Sequence, residues 1–207
     1  MKTTILLVRH GGTVFSAADR FAGSSNVDLS DEGREQARKL GLRLAGLKID
    51  AAYCSPMQRA IDTARFALGK RDIIATQADG LREVDHGHWE GQVHHDVEKK
   101  YPEEYAAWDA DPFTVAPPGG ETGLQVLSRA LPALRQIVAE QPAKRVLLVS
   151  HKATNRILLA SLLGMDMRAY RDAIQQDLAC LNILEFTAPW RARVNLMNDI
   201  SHYQLWP

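Results

Sequence analysis

Only two cysteines, Cys54 and Cys180, occur among the 207 residues. That is too few for a disulfide framework, and a reduced, cytoplasmic setting is the expectation. Excess charge of either sign is missing as well. Lys+Arg and Asp+Glu both number 25, so the formal net charge is zero. Bulk charge is therefore not available to hold nucleic acid or an anionic membrane, and neither is expected as a partner. A small local pocket of one sign is compatible with that balance. No run of 18 or more apolar residues is present, which argues against a transmembrane helix. The apolar run at residues 5–8 is too short for a signal-peptide core. The glycine-rich nucleotide cradles G-x-x-x-x-G-K-[ST] and G-x-G-x-x-G are also missing. No repeat, low-complexity tract or linker divides the chain. What remains is 45% hydrophobic and 24% charged, the balance of one globular domain with a sizeable core.

Residues 5–8 and 146–149 are continuous apolar runs, the pattern of parallel strands covered on both faces. Shorter strands are expected at residues 51–54 and 73–76, and closing strands at 180–186 and 193–196. Ser30 reads as a helix N-cap followed by Asp31 and Glu32. Ala37, Leu40, Gly41, Leu44 and Leu47 then mark one apolar helical face. Further helices are expected at residues 57–69, 122–140 (with a kink at Pro132) and 154–163. Residues 80–121 differ. They hold His86, His88, His94 and His95 with Trp89, Tyr101 and Trp108, two short helical patterns and a Pro/Gly-rich end. They read as a cap inserted over a sheet. The fold class is α/β: a single-domain, three-layer sandwich with a mainly parallel sheet flanked by helices.

Such sheets place ligands at the carboxyl ends of their strands. Arg9-His10-Gly11-Gly12 ends the first strand, Ser150-His151 ends another, and Ser55-Pro56 ends a third, with Arg59 in the helix behind it. An imidazole just after a buried strand is exposed but fixed. An adjacent guanidinium suits phosphate oxygens, and glycines admit a ligand close to the backbone. Glu83 supplies a carboxyl group in Leu81-Arg82-Glu83. Taken singly, each of these is equally a structural histidine, a solvated arginine or a surface ion pair.

Taken in order, they resemble the histidine phosphatase superfamily, in the branch that holds phosphoglycerate mutases and small phosphatases. The resemblance runs over nearly the whole chain. Arg9-His10-Gly11 is followed by Arg20-Phe21-Ala22-Gly23, by residues 29–37, and by Ser55-Pro56 with Arg59-Ala60 and Thr63-Ala64. Next come Leu81-Arg82-Glu83 with Gly87-His88-Trp89-Glu90-Gly91, then Gly119-Gly120-Glu121 and Val149-Ser150-His151. The resemblance implies that His10 is a nucleophile forming phosphohistidine. It must be neutral at the attacking nitrogen, with its other nitrogen donating to a carbonyl. Arg9, Arg59 and His151 would clamp the phosphoryl group. Glu83, partly desolvated, would exchange a proton with the leaving group and then with water. Gly12, Thr13, Ser16, Arg20 and Gly23 fall at substrate-side positions. No metal or cofactor is implied. The expected partner is a small phosphorylated metabolite.

The chain departs from the family pattern at Gly12, where Glu or Gln is usual. It departs again at Phe15-Ser16, in place of a Trp-Asn pair, and at Lys152, in place of Gly. Lys152 is expected to bind a second anionic group such as a carboxylate. A narrower likeness, through residues 83–89 and 98–108, is to metal-independent phosphoserine phosphatases. It implies that His86 and a tail residue, His202, help hold substrate. Three alternatives stand beside this reading. One is a phosphoglycerate mutase, which would re-donate the phosphoryl group. Another is a metal site on His86-x-His88 and His94-His95. The third is a non-catalytic binding protein on the same fold. Tyr203-Gln204-Leu205-Trp206-Pro207 could pack on a partner copy, giving a homodimer, or on the chain's own cap.

Overall fold

The structure is a computed structural model and describes residues 2–204. Apolar side chains alternate along its first strand, β1 (Thr3–Arg9). Ile5 and Leu7 enter one core with Val146, Leu148, Ile157 and Leu134. Leu6 and Val8 enter a second core with Leu147, Val149, Leu40 and Ala64. A strand that buries both faces must lie between two helical layers, which produces the three-layer arrangement.

The elements after β1 are α1 (Val14–Ala17), α2 (Asp31–Arg43), β2 (Ala51–Cys54), α3 (Gln58–Leu68) and β3 (Thr76–Gln77). α4 (His94–Lys100) and α5 (Pro102–Ala110) follow, then α6 (Gly123–Glu140), β4 (Arg145–Ser150) and α7 (Lys152–Leu163). α8 (Tyr170–Ala173), β5 (Leu181–Ala188) and β6 (Arg191–Asp199) complete the fold. The sheet order is β3-β2-β4-β1-β5-β6. β1, β4, β2 and β3 are parallel, while β5 and β6 are antiparallel additions at one edge.

Caps set several of these boundaries. Ser30 accepts from the Gly33 N–H and starts α2. Thr122 and Gln125 form a reciprocal capping box that starts α6. α6 runs through Pro132 without interruption. α7 begins at Lys152, two residues before the expected start, because His151 takes the N-cap position directly after β4. β3 is displaced from the expected residues 73–76 to Thr76–Gln77. The apolar run there does not sit in the sheet interior, and Ile74 is exposed.

α4 and α5 carry a small third core in which Phe21, Trp89, Val97 and Trp108 are buried together. Phe21 reaches it from the loop after α1, so residues near the first strand end are packed against residues 89–108. Among the described residues, no helix is long and apolar enough to cross a membrane. Of the apolar C-terminal segment, Leu205, Trp206 and Pro207 lie outside the described residues.

Candidate active site

His10 follows directly on β1. Its N–H donates to the Ser150 carbonyl (3.0 Å), and its own carbonyl accepts from the Ala179 N–H (3.1 Å). Nδ1 lies 2.8 Å from the Gly11 carbonyl oxygen. A carbonyl can only accept, so the proton sits on Nδ1 and Nε2 keeps its lone pair. Burial, followed by the charges of Arg59 and Arg9, drives the His10 pKa well below the usual imidazole value. The ring is neutral at pH 7, with one nucleophilic nitrogen.

The backbone behind it is tightly packed. A Cβ at Gly11 would lie 2.4 Å from the Gly33 carbonyl oxygen, so only glycine fits there. The Gly11 N–H donates to Thr63 Oγ1 (3.0 Å), which in turn donates to the Arg59 carbonyl (2.7 Å). This chain of bonds ties the nucleophile's loop to α3.

Arg59 is fully buried. Its Nη1 donates to the Ser25 carbonyl (2.7 Å), and its Nη2 to the carbonyls of Gly23 (2.8 Å) and Ala22 (3.1 Å). Nε is buried without a partner. Arg9 donates through Nη1 to the Gln176 carbonyl (2.7 Å), and its Nε is likewise unpartnered.

β4 delivers the second half of the site. Ser150 Oγ donates to the Leu81 carbonyl (2.9 Å), joining β4 to the segment that holds Glu83. His151 is fully buried, with Nε2 2.7 Å from Ser55 Oγ and Nδ1 unpartnered. Burial, then Arg59, His10 and Arg9, lowers its pKa well below the usual value. Glu83 caps the start of α7. Its Oε1 accepts from Thr154 N (3.1 Å) and Val84 N (3.0 Å), while the Thr154 hydroxyl beside it donates to the Arg82 carbonyl (2.7 Å). Its Oε2 accepts from Ala153 N (3.0 Å) alone.

His10, Arg9 and Glu83 meet at a cavity of about 240 Å³. Of the expected residues, Arg9, His10 and Glu83 line it, as do Thr13, Ser16, Arg20, His86 and Lys152. Arg59 and His151 do not; both are buried in the protein beside His10 rather than in the wall. A second cavity of about 510 Å³ shares Arg9, Ser16 and Lys152 with the first.

Three expected contacts are not made. Gly12 is buried and lines neither cavity; its N–H is taken by Gln36 Oε1 (2.9 Å) and its carbonyl accepts from Ser30. The Gly23 N–H is bonded to Glu90 Oε1 (2.9 Å), and its carbonyl to Arg59. His202 lines neither cavity, because the turn after β6 puts its neighbour Tyr203 on the second cavity instead. The histidine cluster does not converge as a metal set either. His86 and His94 both pack on Phe21, at centroid distances of 4.7 and 3.7 Å, while His95 faces Glu98. Among the described residues no group of three or more His, Cys, Asp or Glu side chains could hold a metal ion.

Of the aromatic side chains expected to line a site, Trp108 does so, while Trp89 and Tyr101 do not. The structure also adds residues that sequence reasoning missed: Arg156, Tyr170 and Arg171 line the first cavity. Arg156 is one helical turn beyond Lys152, a signal that was available once α7 began at 152. Arg171 lies on a short helix, and no motif announces it.

The family model for histidine phosphatase superfamily (branch 1) matches residues 5–200. The chain belongs to that superfamily. Among the curated relatives of this histidine phosphatase is Phosphoserine phosphatase 1 of Hydrogenobacter thermophilus. It is 31% identical over 80% of this chain and 79% of its own length. Glucosyl-3-phosphoglycerate phosphatase of Mycolicibacterium vanbaalenii is 36% identical over 78% of this chain and 74% of its own length. Other relatives, from Mycobacterium, are longer proteins, and the chain spans 55% of their length. The solved structure of Bacillus stearothermophilus YhfR superposes with a TM-score of 0.91 at 30% identity. That match covers 98% of this chain and all of the other.

Proposed function

We propose that this histidine phosphatase hydrolyses a small phosphomonoester through phosphorylated His10. The observation that carries the proposal is the state of His10: neutral, Nδ1–H held by the Gly11 carbonyl, and set in a cavity wall with Arg9 and Glu83. Nε2 attacks phosphorus in line, the N–P bond forms, and the P–O bond to the leaving alcohol breaks. Arg9 lies in the wall to meet the equatorial oxygens, with the charge of Arg59 behind it. Glu83 Oε2, which takes only one backbone donor, has a lone pair free to carry the proton given to the alkoxide. The same oxygen then accepts a proton from the water that attacks phosphohistidine, and His10 is regenerated. The cationic side chains supply the charge stabilisation, so turnover is expected to persist in chelator.

Residues 80–121 act as the cap that closes this cavity, and a cytoplasmic setting fits the reduced cysteines. The substrate is a small carboxylated phosphometabolite. Phosphoserine is one candidate, supported by the name of the Hydrogenobacter relative and by Lys152 in the wall. A homodimer is the expected assembly, which sedimentation would detect.

The test is a brief incubation with a labelled phosphomonoester, followed by acid or base quench. A base-stable, acid-labile label that is missing from His10→Ala is the expected result. A label that survives in His10→Ala sinks the mechanism. Phosphate release without exchange between 2- and 3-phosphoglycerate separates hydrolase from mutase.

A further inference from the structure

We infer that Lys152, Arg156 and Arg171 form a carboxylate subsite at the leaving-group end of the cavity. The inference rests on the phosphomonoesterase reading and names its substrate class. The chemistry at phosphorus needs His10, Arg9, Arg59 and Glu83. The cavity wall holds four further cations that this chemistry does not use, Arg20, Lys152, Arg156 and Arg171, of which Arg20 is exposed and donates to the Gly91 carbonyl. Besides Glu83, the only acid in the wall among the described residues is Asp19. A dianionic phosphoryl group therefore leaves an excess of positive charge beside the leaving alcohol.

The two arginines are held in place, whereas Lys152 is exposed. Lys152 and Arg156 stand one turn apart on α7, which aligns them on one helix face. Arg156 Nη2 reaches Gln175 Oε1 at 3.3 Å, and its Nε is buried with no partner. The Arg171 guanidinium lies 4.1 Å over the Trp108 ring of α5, and its Nη2 donates to Asp109 (2.9 Å). Its Nη1 is buried with no partner. A buried N–H without an acceptor is costly, so the two on these neighbouring arginines leave donor capacity unused at this end of the cavity. Tyr170, next to Arg171, adds a phenol to the same wall. Planar guanidinium groups suit a carboxylate.

The experiment uses the full chain with His10→Ala, which keeps the cavity but cannot be phosphorylated. Calorimetric titrations with 3-phosphoglycerate and glycerol 3-phosphate compare two esters of equal carbon count, only one of which carries a carboxylate. At least tenfold tighter binding of 3-phosphoglycerate is expected. In the same background Arg171→Gln should reduce that preference fivefold or more, and Arg171→Lys should restore part of it. Arg156→Gln, which leaves the Arg171–Trp108 stack intact, should reduce it too and guards against a merely loosened cap. Equal affinity for the two esters overturns the subsite, and so does a preference undiminished in both glutamine variants. Because binding is read, a missing phosphohistidine would count against the proposed mechanism and not against the subsite.

Discussion

The His10 ring stands edge-on to His151, with centroids 5.1 Å apart, and both imidazoles are driven to the neutral form. Burial is the largest cause for each, and the two rings share Arg9 and Arg59 as neighbours that oppose a further positive charge. One ring is thereby kept nucleophilic, and the other adds no competing proton.

This pair makes stability depend on pH. Unfolded, each histidine titrates near 6.5; folded, each takes its proton only at much lower pH. The unfolded chain therefore binds more protons below about pH 6.5. Their contribution is complete above that pH and is lost as the pH falls toward the depressed folded values. The slope is up to about 1.4 kcal/mol per pH unit for each ring. Urea midpoints should fall between pH 7.5 and 5.5, and His151→Asn should flatten the dependence. A parallel slope in that variant would refute this account.

Gly11 and Gly12 are adjacent but should respond differently to a methyl group. At Gly11 a Cβ meets the Gly33 carbonyl oxygen at 2.4 Å, whereas at Gly12 the nearest atom is Ser30 Oγ at 3.4 Å. Gly11→Ala should destabilise by about 1–3 kcal/mol and displace His10, cutting activity. Gly12→Ala should cost under about 1 kcal/mol. Thermal melts and phosphate release on the two variants check this.

Much of the architecture is legible because a strand buried on both faces has a continuous apolar sequence, as in residues 5–8 and 146–149. The residues that follow such strands then fall at the sheet edge. That is why His10 and His151 stand out, and why Glu83, brought to α7 through Leu81, fits the same place. The failures are local. Gly23 and Gly12 lose their expected contacts because backbone groups pair with Glu90, Arg59 and Gln36, partners that spacing does not reveal. His202 misses both cavities while the next residue, Tyr203, lines the second, a one-residue difference in a turn that spacing does not settle. Arg171 depends on α8 meeting α5 across the fold, a long-range contact with no local pattern.

Arg59 is as much a structural element as an electrostatic one. It satisfies three carbonyls, those of Ala22, Gly23 and Ser25, that would be left without its donors in Arg59→Met. The Gly23 carbonyl is buried and the other two are partly so; an unpaired buried acceptor costs about 1–3 kcal/mol, so the loss should be at least about 1 kcal/mol. Arg59→Lys should lose nearly as much, because one ammonium cannot reproduce the fork. A chemical denaturation series tests this, and a loss under about 1 kcal/mol in Arg59→Met would contradict it.

Glu83→Gln keeps the volume and the acceptor oxygen but cannot deliver a carboxyl proton. The kcat on alkyl phosphates should fall by about 10²–10⁴. With p-nitrophenyl phosphate, whose leaving group needs no proton, the loss should be far smaller. Equal losses on both substrates would remove Glu83 from the proton-transfer role.

Lys152 offers a pH test of substrate choice that is independent of the catalytic steps. Burial first, then Arg9 and Arg156, lowers its pKa to about 8. Lys152 is charged at pH 7 and mostly neutral at pH 9, while the neighbouring guanidinium groups stay charged. The kcat/KM preference for 3-phosphoglycerate over glycerol 3-phosphate should therefore weaken across pH 7–9, with its midpoint near 8. Lys152→Met should start from the weaker preference and show no such change, whereas Lys152→Arg should hold the preference flat up to pH 9. Because both esters share the same reaction at phosphorus, pH effects on that reaction cancel in the ratio. If the ratio in the parent protein stays constant over that range, Lys152 does not touch the carboxylate.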